Sequence, residues 1–119
     1  MLLSLEEVER ISFYTGLPPE EFVVVDDGFY RLKNKNGKCI FLSRNNECKI
    51  YPVRPLGCMF YPIVVVIPDY TCTVDRYCPA WRTVTKREMK KACPILVDHV
   101  KRIFAERGRY IQKKHTNRK

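Results

Sequence analysis

Six cysteines, at positions 39, 48, 58, 72, 78 and 93, are the residues of this 119-residue chain best equipped for chemistry. A thiolate is both a nucleophile and a soft metal ligand, so its setting decides between catalysis, metal binding and cross-linking. None of the six forms a C-x-x-C pair, which removes the usual zinc-knuckle and redox-active spacings. Four stand in turn-forming surroundings: Cys39 follows Gly37-Lys38, Cys48 follows a polar loop, Cys58 follows Arg54-Pro55-Leu56-Gly57, and Cys78 precedes Pro79. Side chains on turns can converge on a point without occupying a strand face. Cys72 falls within an expected strand and Cys93 on the apolar face of an expected helix, where cysteine behaves as a small hydrophobe. Four thiolates around a divalent cation leave a charge of about −2, which cationic neighbours offset. Lys38, Lys49, Arg54 and Arg76 each lie within four residues of a turn cysteine, although each alone also reads as an ordinary solvated charge.

No other constellation competes for a catalytic role. His99 and His115 are the two histidines, and each reads as a surface residue of a helix. There is no glycine-rich phosphate loop and no serine-centred elbow. Catalysis by this chain alone is therefore the weaker reading.

Composition narrows the class. Six cysteines in 119 residues (about 5%) fall below the ~8–10% of disulfide scaffolds. The N-terminus, Met1-Leu2-Leu3-Ser4-Leu5-Glu6-Glu7, has no basic segment or small-residue cleavage site. The longest apolar stretch, Met59 to Pro68, holds two prolines and is about half the ~18 residues of a membrane span. A chain of the cytoplasm, with no membrane partner, is expected. There metal binding or thiol chemistry is favoured over a disulfide framework. Intracellular disulfides are common in hyperthermophiles; the single glutamine points that way and the five asparagines point against it.

Charge is distributed unevenly. Residues 1–81 carry 9 basic and 10 acidic side chains, whereas residues 82–119 carry 13 and 3. The second set includes Lys86, Arg87, Lys90, Lys91, Lys101, Arg102, Arg107, Arg109, Lys113 and Lys114, with Tyr110 available for stacking. This basic third would suit nucleic acid or an acidic protein, although no nucleic-acid-binding motif accompanies it.

The elements that must position these residues are short. Ser4 and Glu7 form a capping box, Leu3 and Val8 a hydrophobic staple, and Leu5, Val8, Ile11 and Tyr14 an apolar helix face ended by Gly16. Pro18 to Phe22 reads as one further turn. Strands are expected at Val23–Val25, Phe29–Lys33 and Cys39–Leu42, with turns at Asp26-Asp27-Gly28 and Asn36-Gly37. Residues 48–62, with three prolines and a glycine, form a fixed irregular loop or a short helical turn. A hairpin around Pro68-Asp69 and a second irregular turn at Tyr77–Trp81 follow. A capping box at Thr85–Glu88 opens a helical region whose apolar face is Met89, Cys93, Leu96, Val100, Ile103 and Phe104. Pro94 is expected to break or kink it, or to start a second helix at its first position after Cys93, and Gly108 to stop it, leaving 109–119 as a frayed basic tail.

The stretches Cys39-Ile40-Phe41-Leu42, Cys48-Lys49-Ile50-Tyr51, Arg54-Pro55-Leu56-Gly57-Cys58, Tyr61-Pro62 and Cys78-Pro79 resemble the YkgJ-type cysteine-cluster family of zinc- or iron-chelating domains. The similarity covers roughly residues 4–81. The family's naming motif, C-x-x-C-x-x-C-C, is absent from the sequence, as in a truncated chain, a late start or a divergent member with one reduced site. Met59 and Ala80 replace the family's usual arginine and glycine. A related cysteine region occurs in a methylase that modifies flagellin, so a role within an iron–sulfur or methyltransferase-type enzyme is the alternative. The resemblance implies a metal held by Cys39, Cys48, Cys58 and Cys78. Zinc is the first choice for a closed four-sulfur site, with an iron–sulfur cluster as the alternative. Cys72 and Cys93 fall outside the motif, which makes them the pair to test for a bridge among fifteen pairings.

These readings combine into an α+β domain at residues 1–108 with a basic tail at 109–119. A small antiparallel sheet is flanked by an N-terminal helix and a C-terminal helical hairpin or kinked helix, and metal pins the irregular loops.

Overall fold

The computed structural model describes the backbone of residues 1–116 and the side chains of residues 1–113; the side chains of Lys114, His115 and Thr116, and residues 117–119 of the expected tail, lie outside the described residues. Small antiparallel sheets with helices toward both ends give the expected α+β fold. The chain divides into two compact units, Met1–Pro55 with the helix from Ile103 onward, and Leu56–Arg102.

The first unit begins with β1 (Leu2–Leu3) and α1 (Leu5–Thr15). Backbone donors in the first turn of a helix have no partner within it, and the sequence supplies partners here. The Glu7 N–H donates to Ser4 Oγ at 3.2 Å and the Ser4 N–H donates to Glu7 Oε1 at 3.0 Å. The Leu5 N–H goes to both carboxylate oxygens of Glu106 at 3.0 Å. Both carboxylates sit at the positive end of the helix dipole. Leu3 and Val8 are buried on either side of the cap, and Gly16 ends the helix at φ 72°. The buried face differs from the expected one. Leu5 and Tyr14 are 43% and 49% exposed, because the capping box turns Glu7 inward beside Val8 and Ile11. Phe22, just after a 3₁₀ turn at Pro19–Glu21, is fully buried instead, 5.6 Å from the Phe41 ring.

β3 (Phe29–Leu32) pairs antiparallel with both β1 and β2 (Val23–Asp26), giving the order β1-β3-β2. Asp27 and Gly28 make the connecting turn with φ of 52° and 81°, the positive-φ pair that matches strand twist. Asn36 and Gly37 repeat it (φ 55° and 78°) between β4 (Asn34–Lys35) and β5 (Lys38–Cys39). The expected strand Cys39–Leu42 is not formed beyond Cys39. The Leu42 N–H folds back to the Cys39 carbonyl at 3.0 Å, a tight turn that leaves Phe41 buried in the core. Leu3, Val8, Ile11, Phe22, Leu32, Phe41 and Ile50 form that core.

The second unit holds α2 (Leu56–Phe60), the hairpin β6 (Ile63–Val66) and β7 (Thr71–Val74), and a 3₁₀ turn at Pro79–Thr83. It also contains the first part of α3 (Lys86–Thr116), to Arg102. Thr85 Oγ1 accepts the Glu88 N–H at 3.1 Å, as the capping signal predicts. Ile63, Ala92 and Leu96 are buried together, with Phe60, Val65, Cys72, Val84 and Met89 packed around them. Cys72 of β7 and Cys93 of α3 form a disulfide. Pro94 neither breaks the helix nor starts a second one: buried Ala92 and Leu96 and the bridged Cys93 hold the backbone on both sides of it. His99, expected at the surface, is buried at 7% exposure.

From Ile103 the helix belongs to the first unit, and it runs through Gly108 to Thr116 where a stop and a frayed tail were expected. Arg107 Nε donates to the Asp27 carbonyl at 2.7 Å, and Arg107 Nη2 pairs with Asp27 Oδ2 at 2.9 Å. Phe104 meets Phe29 edge-on at 5.3 Å and Tyr110 meets Tyr30 at 6.0 Å. These contacts offset the ~1 kcal/mol that a helical glycine costs relative to alanine.

The hairpin turn at Gly28 leaves little room for a side chain. A Cβ there would lie 3.1 Å from Arg107 Cγ and 3.2 Å from Ile111 Cγ1, at a φ of +81°. Gly28→Ala is expected to lower stability by about 1–2 kcal/mol, the order of the left-handed penalty, read as a shift in denaturant midpoint. An unchanged midpoint would mean that this turn does not hold the helix.

Candidate metal centre

Cys39, Cys48, Cys58 and Cys78 remain as thiols outside the disulfide. Two belong to each unit. In the first unit, Cys39 ends β5 opposite Asn34, and Cys48 follows the polar loop Ser43–Glu47. Leu42 ties the two turns together: its N–H donates to the Cys39 carbonyl, and it pairs with Cys48 in an antiparallel bridge. The neighbouring Lys49 N–H donates to the Phe41 carbonyl at 2.8 Å. Both cysteines are half-buried and pack against the core around Phe41 and Ile50. A groove of about 460 Å³ beside Cys39 is lined by Lys35, Lys38 and Arg44, cations of the sign that steadies a thiolate.

In the second unit, Cys58 lies exposed on the single turn of α2, held by the Pro52/Pro55 constraints that precede it. Cys78 stands at the entry of the 3₁₀ turn. The Asp75 carboxylate builds the loop that presents it. Asp75 Oδ1 accepts the Tyr77 N–H at 3.0 Å, Oδ2 accepts the Tyr61 hydroxyl, and the Asp75 carbonyl accepts the Cys78 N–H at 3.2 Å. The hydrogen bond to Asp75 holds the Tyr61 phenol neutral, pushing its pKa up to about 12, and the same bond lowers the Asp75 carboxyl. Sequence reasoning quoted Tyr61 only as part of a motif and missed Asp75. The available signal was an aspartate three residues before a loop cysteine, a frequent side-chain-to-backbone turn.

Of the four cations expected to attend the thiols, two do something else. Arg54 lies over the Tyr51 ring at 3.9 Å and Arg54 Nη1 donates to the Tyr51 carbonyl at 2.9 Å, locking the Tyr51–Arg54 turn. Arg76 lies over the Trp81 ring at 5.2 Å. Lys38 shares the groove with Cys39, and Lys49 is exposed. Among the described residues, no three His, Cys, Asp or Glu side chains form a group that could hold a metal ion.

Residues 3–94 match the C-x-x-C-x-x-C-C family, whose description is "Putative zinc- or iron-chelating domain". The chain is 36% identical over 85 residues to the uncharacterized protein MJ0661 of Methanocaldococcus jannaschii, a stretch that covers 61% of this chain and 47% of that protein. The chain thus spans about half the length of that relative. No solved structure matches it.

Proposed function

From a chain that belongs to the C-x-x-C-x-x-C-C family of zinc- or iron-chelating domains, we propose a metal-binding protein whose ligands are the thiolates of Cys39, Cys48, Cys58 and Cys78. The observation that carries this reading is the sorting of the six cysteines. One pair is spent in the Cys72–Cys93 disulfide, and the four that remain as thiols are those of the family-like stretches. Their chemistry fits the group: four thiolate donors suit a tetrahedral zinc, and equally an iron–sulfur cluster. Zinc is the first assignment, because a site closed by four protein sulfurs needs no further ligand. When bound, the metal would supply a cross-link among irregular loops rather than an open coordination position. The residues around it have separable tasks. Leu42 sets the spacing of the Cys39 and Cys48 backbones, and Asp75 with Tyr61 orders the loop of Cys78.

Elemental analysis and a visible spectrum on one anaerobic preparation test the reading. A colourless protein with one zinc per chain is the expected result. A brown protein absorbing near ~400 nm would replace zinc with an iron–sulfur cluster on the same thiolates. Protein that takes up neither metal in reconstitution would overturn the metal-binding reading.

A further inference from the structure

We propose that the groove beside Trp81, within the Leu56–Arg102 unit, binds single-stranded nucleic acid, with a base against the indole and phosphates on Arg82, Lys86 and Lys90. The groove encloses about 440 Å³. Its floor is apolar, made of Val74, Val84, Met89 and the Cys72–Cys93 bridge, and Trp81 stands at its side. Arg82, Lys86 and Lys90 also line it, and no carboxylate does. Residues 76–97 carry six cations and a single carboxylate, Glu88, which is turned to the Thr85 cap. Lys86, Arg87, Lys90 and Lys91 are all exposed, and their spacing of one and four places them along one side of the helix.

A cationic rim alone would accept any polyanion. The aromatic arrangement narrows the partner. Arg76 and Arg82 each hold a guanidinium 5.2 Å from the centre of the Trp81 ring. A nucleobase can stack on these guanidinium planes where they lie over the indole, or on the indole itself once an arginine turns to a phosphate, and unpaired bases expose the π-faces that such surfaces take up. Stacking of this kind tolerates any base, so the expected preference is for strand type rather than sequence. The carboxylates of an acidic polypeptide would satisfy the lysines but would leave the indole uncovered, whereas each nucleotide brings a phosphate and a π-face together. None of these side chains is a proposed metal ligand, so the site stands or falls apart from the metal.

Trp81 is the one tryptophan of the chain, so its emission reports on the groove directly. Protein as purified is titrated with a short oligothymidylate. Saturable quenching is expected, with an affinity that falls as salt rises at a log–log slope of about −0.7 per phosphate held. Lys86→Glu combined with Lys90→Glu should weaken binding about tenfold or more, each lysine holding a phosphate. Trp81→Leu, followed by anisotropy of a labelled oligonucleotide, should weaken it about fivefold or more, and Trp81→Phe should retain most of it. Lys90→Gln, at an exposed helical position, keeps the test in a chain that folds, and far-ultraviolet dichroism checks each variant. Absence of quenching, or binding indifferent to Lys90→Gln and to the double charge reversal, overturns the proposal. So does polyglutamate that quenches and competes as well as the oligonucleotide, since the groove would then read charge alone.

Discussion

Cys58→Ser is expected to release the metal and to lower the melting temperature by several degrees, and so are the same changes at Cys39, Cys48 and Cys78. The local setting of Cys58 makes this a sharp expectation. It is exposed, on a helix of only five residues, beside an exposed Met59. A cysteine-to-serine change at such a surface position is ordinarily within about ±0.5 kcal/mol of neutral. A loss of several degrees that comes together with loss of the metal is the signature of a ligand. The backbone that leads to Cys58 has little else to order it. Between Cys48 and Arg54 the turn hydrogen bonds are mostly local, Tyr51 to Cys48, Val53 to Ile50 and Arg54 to Tyr51, and Pro52 and Pro55 contribute no donors. A metal that gathers such loops converts binding energy into folding energy, because the site does not exist in the unfolded chain. Metal analysis and a thermal scan on the four variants check the prediction. Cys58→Ser that keeps full metal content and an unchanged melting temperature would remove Cys58 from the ligand set. Metal removal that leaves the melting temperature unchanged would remove the structural role.

What the sequence discloses depends on how local each cause is. The Ser4–Glu7 box, the Gly16 stop, and the Asp27-Gly28 and Asn36-Gly37 turns are all set by neighbours within a few residues, and each appears where its signal lies. The helix at 86–116 is the opposite case. Pro94 and Gly108 are honest breaking signals, overridden by a disulfide to a strand 21 residues away and by Arg107 reaching Asp27, 80 residues earlier. The turn at Cys39–Leu42 looked like a strand because Ile40, Phe41 and Leu42 are apolar. Their burial comes from a tight turn, and pattern alone does not separate the two. Around the thiols, glycine, proline and polar neighbours suggested a turn for all four cysteines; Cys48 and Cys78 lie in such segments, whereas Cys39 ends β5 and Cys58 sits within α2. The Asp75–Tyr61 pair was not, since it joins side chains 14 residues apart. The ring contacts of Arg54 and Arg76 were not legible either: proximity in sequence to a cysteine does not reveal that a guanidinium lies over an aromatic ring.

Removing the disulfide by Cys72→Ala with Cys93→Ala is expected to destabilise the Leu56–Arg102 unit by about 3 kcal/mol while the metal stays bound. The magnitude follows from the loop closed: with a separation of 21 residues, the chain-entropy model gives about 3 kcal/mol. The effect should fall unevenly because the two cores differ. The first unit buries seven apolar side chains in its cluster, whereas the second buries three, Ile63, Ala92 and Leu96. The bridge also sits next to Pro94, where the helix lacks a donor, so its loss frees the backbone at the weakest point of α3. Hydrogen exchange should therefore accelerate first in β6, β7 and the helix between Lys86 and Arg102, with the amides of α1 and β3 following only on global unfolding. Thiol titration supplies the direct check. Denatured, metal-stripped wild-type protein should show four thiols without reductant and six with it. Six in both would mean that the bridge does not form. Metal content is compared at a temperature where the variant keeps its helical dichroism. Wild-type metal content there leaves the ligands at Cys39, Cys48, Cys58 and Cys78, and loss of the metal would bring Cys72 or Cys93 into the site.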